Sequence, residues 1–320
     1  MDGIINFNKH QGITSHDAVA MLRRLTGIRK IGHTGSLDPM ATGVLPLCVG
    51  KATRLIEYME GRPGDIVKAY RCEMRLGLVT DTMDIWGSHV KGAQASEGWP
   101  GEQALLEAIS RFVGEQVQYP PVFSAVKVGG RKLYEYARAG EEPPTGAIKA
   151  RTINIKSITL NGFNPDAMSL SFDVECSRGT YIRVLCHEIG QSLGCGAVMS
   201  GLIRLRSGAF SIEDSTTGEE LEAMKEKLPL FPLDYGLKGY PEIRLDKPFE
   251  RRFINGMAIE GDSFSMDGAE ATAPHNPPSA GEAKGPAAFA CPVRVYGGEG
   301  VLLGMGKVED DTLKPLKVIV

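Results

Sequence analysis

The segment from Gly32 to Leu45 sets one carboxylate, Asp38, among glycines, a proline, hydroxyl side chains and small apolar residues. Glycine reaches positive φ at little cost, and proline fixes φ and removes a donor, so this composition favours an irregular loop over a helix or strand. The residue before a proline is driven towards extended backbone, which gives Asp38 a stiff position. Because an isolated Asp-Pro pair usually marks a turn, two interpretations stay open here, a turn and a catalytic carboxylate.

The bulk composition is typical of a soluble globular protein. The 320 residues are 42% hydrophobic and 23% charged, and this length predicts one large and one small domain. The six cysteines contain no CxxC pair, which argues against a zinc site and predicts reduced thiols in a cytoplasmic protein. The histidines lack H-x-x-x-H spacing, so no metal is expected. Neither a leader-like N-terminus nor a run of about eighteen apolar residues is present, so no membrane association is expected.

Helical and strand patterns alternate along the chain and predict an α+β fold, a mixed sheet with helices packed on it. A helix capped by Thr14 and closed by Gly27 leads into the Asp38 loop. The other predicted helices are 53–59, 103–112, 131–139, 180–193 and 218–227. The predicted strands are 47–49, 67–76, 153–160 and 168–176, with a polar loop at 87–101.

The composition changes near Lys238, where we place a domain boundary. Residues 1–238 are predicted to form the larger domain and residues 239–320 a small β-rich domain. A stretch rich in Ala, Pro, Gly and Ser at about 267–287 has too little apolar content to pack, so it is predicted to be a flexible surface loop.

Residues 119–140 mix arginine, lysine and tyrosine around a turn at Gly129-Gly130, a combination suited to phosphates and bases together. The net charge of −3 is unfavourable for binding RNA. Residues 122–156 nevertheless carry seven basic against three acidic side chains, and local charge matters more than the total. A packed tyrosine-rich hairpin with a solvated charged face is the alternative interpretation.

The loop around Asp38 resembles the signature G-H-x-G-x-L-D-P-x-A-x-G-V-L of the TruB-type pseudouridine synthases, and every fixed letter is present. Residues 178–183 match the R/K-G-T-Y-I-R motif of the same family, and Tyr70 falls where that family places a tyrosine. The resemblance covers most of residues 1–210. It implies the pseudouridine synthase fold, a mainly antiparallel mixed sheet flanked by helices and loops. It also implies an RNA-gripping insertion at about 119–150 and a PUA-like C-terminal domain.

The resemblance implies isomerisation of a uridine in the T loop of transfer RNA, position 55 in that family, by base flipping and without a cofactor. Asp38 would be the nucleophile, Arg183 its ion-pair partner and Tyr70 the residue that stacks on the target base. The remaining implied substrate contacts are His33, Tyr181, Leu202, Lys127 and Arg131. The expected partner is the T stem-loop of the tRNA, with no protein partner and a monomeric chain.

Alternatives remain open for individual residues and for the function. Taken alone, Tyr70 and Leu202 also fit core positions, and Arg183 also fits a charge on the surface of a helix. A guide-RNA-dependent synthase of the same fold and a non-catalytic tRNA-binding or folding protein are the rival functions. Attack by Asp38 on the ribose C1′, attack on the uracil ring and abstraction of a ribose proton are all compatible with the sequence.

Overall fold

The computed structural model describes residues 1–61, 65–90, 99–224, 227–261 and 292–320. These residues form a nine-stranded sheet, a five-stranded sheet and a two-stranded hairpin, accompanied by helices. The predicted α+β class is confirmed. The predicted surface loop at 267–287, residues 91–98 of the predicted loop at 87–101, and Cys291 lie outside the described residues. Within the described ranges, no helix is long and apolar enough to cross a bilayer.

Strands and helices alternate along the described chain, as predicted. The helices are α1 (Ser15–Thr26), α2 (Ile56–Met59), α3 (Glu102–Ser110), α4 (Leu133–Ala139), α5 (Ile182–Ser192), α6 (Gly218–Ala223) and α7 (Lys247–Ile254), with 3-10 turns at Gly50–Leu55 and Tyr235–Leu237. The strands are β1 (Gly3–Lys9), β2 (Ile31–His33), β3 (Thr42–Val49), β4 (Ile66–Leu76), β5 (Gly114–Gln118), β6 (Lys127–Val128), β7 (Arg131–Lys132), β8 (Arg151–Asn164), β9 (Ser169–Ser177), β10 (Ala197–Ser207), β11 (Phe210–Ser211), β12 (Glu242–Leu245), β13 (Ile259–Glu260), β14 (Pro292–Gly297), β15 (Leu302–Glu309) and β16 (Thr312–Val318).

The large sheet has the order β1-β3-β10-β4-β9-β8-β5, with β2 beside β3 and β11 beside β10. Its named strand pairs are antiparallel except β3 with β10, which run parallel through Thr42 with Ile203 and Gly43 with Arg204. The parallel pair brings the chain that has just passed Asp38 to the middle of the sheet.

Strand β4 shows how the sheet separates its two faces. Lys68, Tyr70 and Cys72 are buried, whereas Arg71 and Glu73 between and beyond them are exposed. An antiparallel sheet with one packed face and one solvated face produces this alternation. Lys68 and Tyr70 therefore lie on the packed side of the sheet.

Two predicted boundaries differ from the structure at glycines. The backbone was expected to be irregular through Leu45, but β3 begins at Thr42, and Gly43 pairs within the sheet at a φ of 95°. The helix expected from Arg131 begins at Leu133, because Arg131–Lys132 forms the second strand of a hairpin with Lys127–Val128. Gly129 and Gly130 both have positive φ, the requirement of a type I′ turn, which joins two strands.

The second sheet, in the order β12-β14-β15-β16-β13, packs against the first sheet through an apolar cluster. Val44 and Cys48 of β3 belong to this cluster together with Tyr296 and Met305 of the second sheet. The Tyr296 hydroxyl also donates a hydrogen bond of 2.7 Å to Asp234 Oδ2. The two sheets thus share an apolar contact behind the Asp38 loop.

Candidate active site

The Asp38 loop joins β2 to β3 and is fixed by hydrogen bonds to its backbone. The Leu37 N–H donates to Ser15 Oγ at 2.8 Å, and the Ser15 hydroxyl donates back to the Leu37 carbonyl at 3.2 Å. The Ala41 N–H donates to the Asp38 carbonyl at 3.0 Å, which closes a turn around the carboxylate. Ser15 is available because Thr14 caps α1, as predicted; the cap is a capping box with Asp17. Asp38 therefore has the stiff setting that its sequence predicts.

Arg204 holds the same loop from the other side, and sequence reasoning missed it. The residue is 1% exposed. Its Nε donates to the Val44 carbonyl at 2.6 Å, and its terminal nitrogens donate to the carbonyls of Ser36 at 3.3 Å and Gly35 at 3.2 Å. One buried guanidinium thus joins both arms of the loop. Strand β10 turns Leu202 and Arg204 inward and leaves Ile203 exposed, but no strand was predicted for these residues.

Gly43 supplies a test of this contact between the loop and β10. A Cβ on Gly43 would lie 2.4 Å from the Arg204 carbonyl oxygen, and its φ of 95° is strained for other residues. We expect Gly43→Ala to lower the free energy of unfolding by about 3 kcal/mol or more and to lower turnover, because the loop must shift. Gly27→Ala is the matched control, since Gly27 has a φ of 71° and open space around it. If Gly43→Ala and Gly27→Ala had equal melting temperatures, the close approach of Gly43 to the Arg204 backbone would be contradicted.

Arg183 forms the expected ion pair with Asp38, with 3.5 Å between Nε and Oδ2. Its two terminal nitrogens donate to the carbonyls of Thr82 and Phe123. The Arg183 side chain is 5% exposed and that of Asp38 is 41% exposed. The alternative of a surface helix charge is therefore wrong, because the Asp38 loop and the chain at Thr82 and Phe123 cover this part of α5.

The Arg183 Nε has no hydrogen-bond partner among the described residues, so its contact with Asp38 is an ion pair without a hydrogen bond. A buried N–H of this kind costs free energy until it is satisfied. Rotation of the exposed carboxylate towards Nε would satisfy it. The arrangement therefore directs the movable Asp38 side chain to one position.

Tyr70, Leu202 and Tyr181 surround the carboxylate from three elements. Tyr70 and Leu202 are each 8% exposed and lie on neighbouring strands, so the core alternative holds for their burial but does not exclude a role in the cavity. Burial raises the pKa of the Tyr70 hydroxyl. Tyr181 is the N-cap of α5, and the Gln118 amide exchanges hydrogen bonds of 2.8 and 3.1 Å with its N–H and carbonyl. Gln118 is a second positioning residue that the sequence did not reveal.

A cavity of about 1000 Å³ lies between these elements. Six of the eight predicted site residues line it, namely Asp38, Tyr70, Arg183, Tyr181, Leu202 and Lys127. A cavity of this size lies at the upper end of the range for small-molecule sites. It brings the half-exposed Asp38 carboxylate together with aromatic and apolar side chains, an arrangement that suits an extruded base.

His33 and Arg131 are not among the residues that line the cavity. His33 lies edge-on to His16, with ring centroids 6.3 Å apart, and burial lowers its pKa to about 4, so the imidazole is neutral near pH 7. The Arg131 guanidinium lies 4.2 Å from the Tyr136 ring centroid and forms a 2.6 Å ion pair with Glu141. Their predicted substrate contacts stay predictions.

Lys68 lines the cavity as well and was not predicted. It is 5% exposed, and its Nζ donates a 2.6 Å hydrogen bond to Ser207 Oγ. Burial, with a smaller contribution from Arg204, lowers the pKa of Lys68 to about 7. The cavity wall thus contains a buried amino group whose pKa is close to 7.

The burial of Lys68 predicts a pH-dependent stability. Its pKa is about 7 in the fold and 10.5 ordinarily. The unfolded chain therefore binds more protons between these values, and stability rises with pH across this window. Lys68→Met removes the buried charge, so we expect it to raise the free energy of unfolding on the order of 3 kcal/mol more at pH 6 than at pH 9.5. Urea denaturation at both pH values measures this, and Lys51→Met, an exposed lysine, should show no such difference. A gain independent of pH would contradict the prediction.

Family comparisons agree with this geometry. Residues 23–182 match the family described as TruB family pseudouridylate synthase (N terminal domain). Residues 183–235 match the one described as tRNA pseudouridylate synthase B C-terminal domain. The first of these matches contains Asp38 and Tyr70, and the second begins at Arg183.

Curated relatives carry the name tRNA pseudouridine synthase B. The chain is 43% identical to that of Clostridium kluyveri over 264 residues, which cover 82% of this chain and 87% of the relative. It is 37% identical to that of Clostridium perfringens (strain 13 / Type A) over 322 residues, covering 100% of this chain and 99% of the relative.

Among solved structures, the fold matches a chain from the crystal structure of a Cbf5-Nop10-Gar1 complex. The TM-score is 0.70 at 24% identity, and the match covers 99% of this chain and 85% of that chain. At that identity the likeness concerns the fold alone. Together with the matched family regions and the identities to the curated relatives, it leads to one conclusion: this chain belongs to the TruB family of pseudouridine synthases.

Proposed function

We propose that this chain converts one uridine in the T loop of tRNA, position 55 by analogy with its family, to pseudouridine, with Asp38 as the nucleophile. The observation that carries the proposal is the Asp38 carboxylate, 41% exposed and 3.5 Å from a buried arginine, in the wall of a cavity of about 1000 Å³. The matched curated relatives are tRNA pseudouridine synthases by name, which supports a tRNA substrate.

Pseudouridine has the same atoms as uridine. The N-glycosidic bond breaks, the uracil rotates, and C5 bonds to the ribose C1′; the C5 proton leaves and the released N1 takes up a proton. The isomerisation therefore requires neither an electron acceptor nor a group donor. A carboxylate that forms a transient covalent bond to the nucleotide divides the reaction into easier steps.

The target nucleotide must leave the RNA stack before it reaches Asp38. Extrusion costs a few kcal/mol, which aromatic and apolar contacts offset. Tyr70 offers a buried ring for stacking, Leu202 an apolar wall and Tyr181 a second ring at the start of α5. Arg183 keeps the carboxylate beside this space through three contacts of its guanidinium.

The remaining RNA contacts are assigned to the insertion at about 119–150 and to the C-terminal sheet. Lys127 begins the hairpin of the insertion and also lines the cavity, so the insertion reaches the extruded nucleotide. The α4 segment presents Arg138 over the Tyr134 ring at 5.2 Å, a pairing suited to phosphates and bases. We place the boundary of the larger domain near Lys238 and regard residues 239–320 as a PUA-like RNA-binding domain. The proposed enzyme is a cytoplasmic monomer that needs no protein partner.

Release of tritium from a T-arm RNA labelled at C5 of uridine tests this function. We expect the purified chain alone, without guide RNA or added protein, to release one equivalent of tritium per target uridine. Activity that appears only with a guide RNA would support the guide-dependent alternative. Tight RNA binding without release would support a non-catalytic tRNA-binding protein.

A further inference from the structure

The chain that follows β4 carries an exposed tryptophan that the proposed reaction does not use. Trp86 is 55% exposed and its neighbour Ile85 is 38% exposed. Tryptophan is enriched at interfaces, so an exposed indole on an ordered loop is available for a contact outside the chain.

The backbone that presents Trp86 is held in place. The Trp86 N–H donates to Asp84 Oδ1 at 3.0 Å, and Thr80 Oγ1 donates to the Asp84 carbonyl at 2.7 Å. The two arms of the loop are joined where the Asp81 N–H donates to the Ser88 carbonyl at 3.1 Å. Trp86 is therefore presented from a fixed backbone, which limits the entropy lost when a partner binds.

Pairing with β10 places this loop beside the cavity. The Met199 N–H donates to the Met83 carbonyl at 3.1 Å, and the Ile85 N–H donates to the Met199 carbonyl at 2.9 Å. Met199 lines the cavity. On the opposite edge of β10, Met199 pairs with Met74 of β4. Residues 83–85 therefore lie along the edge of β10 that also pairs with β3.

The same edge carries the Asp38 loop. Strand β3 meets β10 at Ile203, four residues beyond Met199, and four strand residues span about 13 Å. The Thr82 carbonyl accepts a hydrogen bond from Arg183, so the loop also contacts the partner of Asp38. Trp86 thus lies on a segment that borders the catalytic pair.

We infer that Trp86 stacks on an unpaired base of the bound tRNA loop, next to the extruded target nucleotide. Every nucleobase offers a face on which an indole can stack, and stacking tolerates any base. The cavity wall also holds Lys127 and Arg151, which suits a polyanion better than an apolar peptide. This inference rests on the proposed function, because it requires RNA in the cavity.

The test is Trp86→Ala in the full chain, with Trp86→Phe to retain a ring and Val90→Ala as an exposed apolar control on the same loop. We expect Trp86→Ala to raise the Kd for a T-arm RNA by about tenfold or more and to raise KM more than it lowers kcat. Trp86→Phe should recover most of the affinity, and Val90→Ala should bind like the unaltered chain. Unchanged binding by Trp86→Ala would overturn the inference.

Fluorescence gives a second measurement that does not depend on a destabilised variant. The chain has two tryptophans, so Trp99→Phe leaves Trp86 as the sole indole. We expect the T-arm RNA to quench its emission with the same Kd as direct binding, whereas full binding without quenching would overturn the inference. Tritium release by the unaltered chain separates the two proposals. If the unaltered chain releases tritium normally but RNA binding neither depends on Trp86 nor quenches its emission, only this inference fails. If tritium release is absent, the proposed function fails.

Discussion

Asp38→Asn should abolish isomerisation and leave both the fold and RNA binding intact. Asparagine has nearly the shape of aspartate, but its amide is not a nucleophile. The loop itself is held by Ser15 and Arg204 through hydrogen bonds to its backbone groups, which do not involve the Asp38 side chain. We expect tritium release to fall on the order of 10⁴-fold or more.

Three measurements on the same preparation separate chemistry from binding and folding. The Kd for the T-arm RNA and the melting temperature should match those of the unaltered chain, while single-turnover tritium release is lost. A loss smaller than about 100-fold would overturn the assignment of Asp38 as nucleophile. A matching loss of affinity would instead assign Asp38 to binding.

Arg183→Lys should lower kcat by about 100-fold with little effect on Kd. The guanidinium contacts Asp38, the Thr82 carbonyl and the Phe123 carbonyl from three separate nitrogens. A lysine keeps the charge but offers one compact ammonium group, so it cannot hold all three in the same geometry. A carboxylate displaced by about 1 Å is enough for a loss of this size.

Arg71→Lys is the matched control for Arg183→Lys. Arg71 makes a two-fold contact with Asp173, with both distances 2.9 Å, on the solvated face of the sheet. The chemical change is the same, but the site is away from the cavity, so we expect normal single-turnover rates. If Arg183→Lys also retained a normal rate, the guanidinium geometry would have no part in positioning Asp38.

The sequence predicted the parts of the site that local rules determine. The glycine and proline pattern around Asp38 predicted a stiff loop, and the N-cap at Thr14 predicted the helix that supplies Ser15. The alternation of residues 67–76 placed Lys68 and Tyr70 on one face, which the structure confirms. The family resemblance then supplied the pairing of Asp38 with Arg183, which no local pattern contains.

The parts that were missed depend on contacts between distant segments. Arg204 faces inward because β10 lies beside β3, a parallel pairing that no turn or periodicity indicates. The helical pattern of α5 set Arg183 off the apolar face, yet the Asp38 loop and the chain at Thr82 bury it. In the sequence, Lys68 resembles a solvated surface charge. In the structure it is buried, and Ser207 of the neighbouring strand accepts a hydrogen bond from its ammonium group.

Strand β3 has a consequence for how the two sheets depend on each other. Leu45 and Leu47 pack into the core of the large sheet, whereas Val44 and Cys48 pack into the cluster shared with Tyr296. The strand that leaves the Asp38 loop is therefore packed on both faces, and residues 292–320 supply part of the cluster behind it, through Tyr296, Leu302, Met305 and Ile319. Truncation of the C-terminal sheet would remove these side chains from the cluster, so the C-terminal sheet supports the strand that follows Asp38.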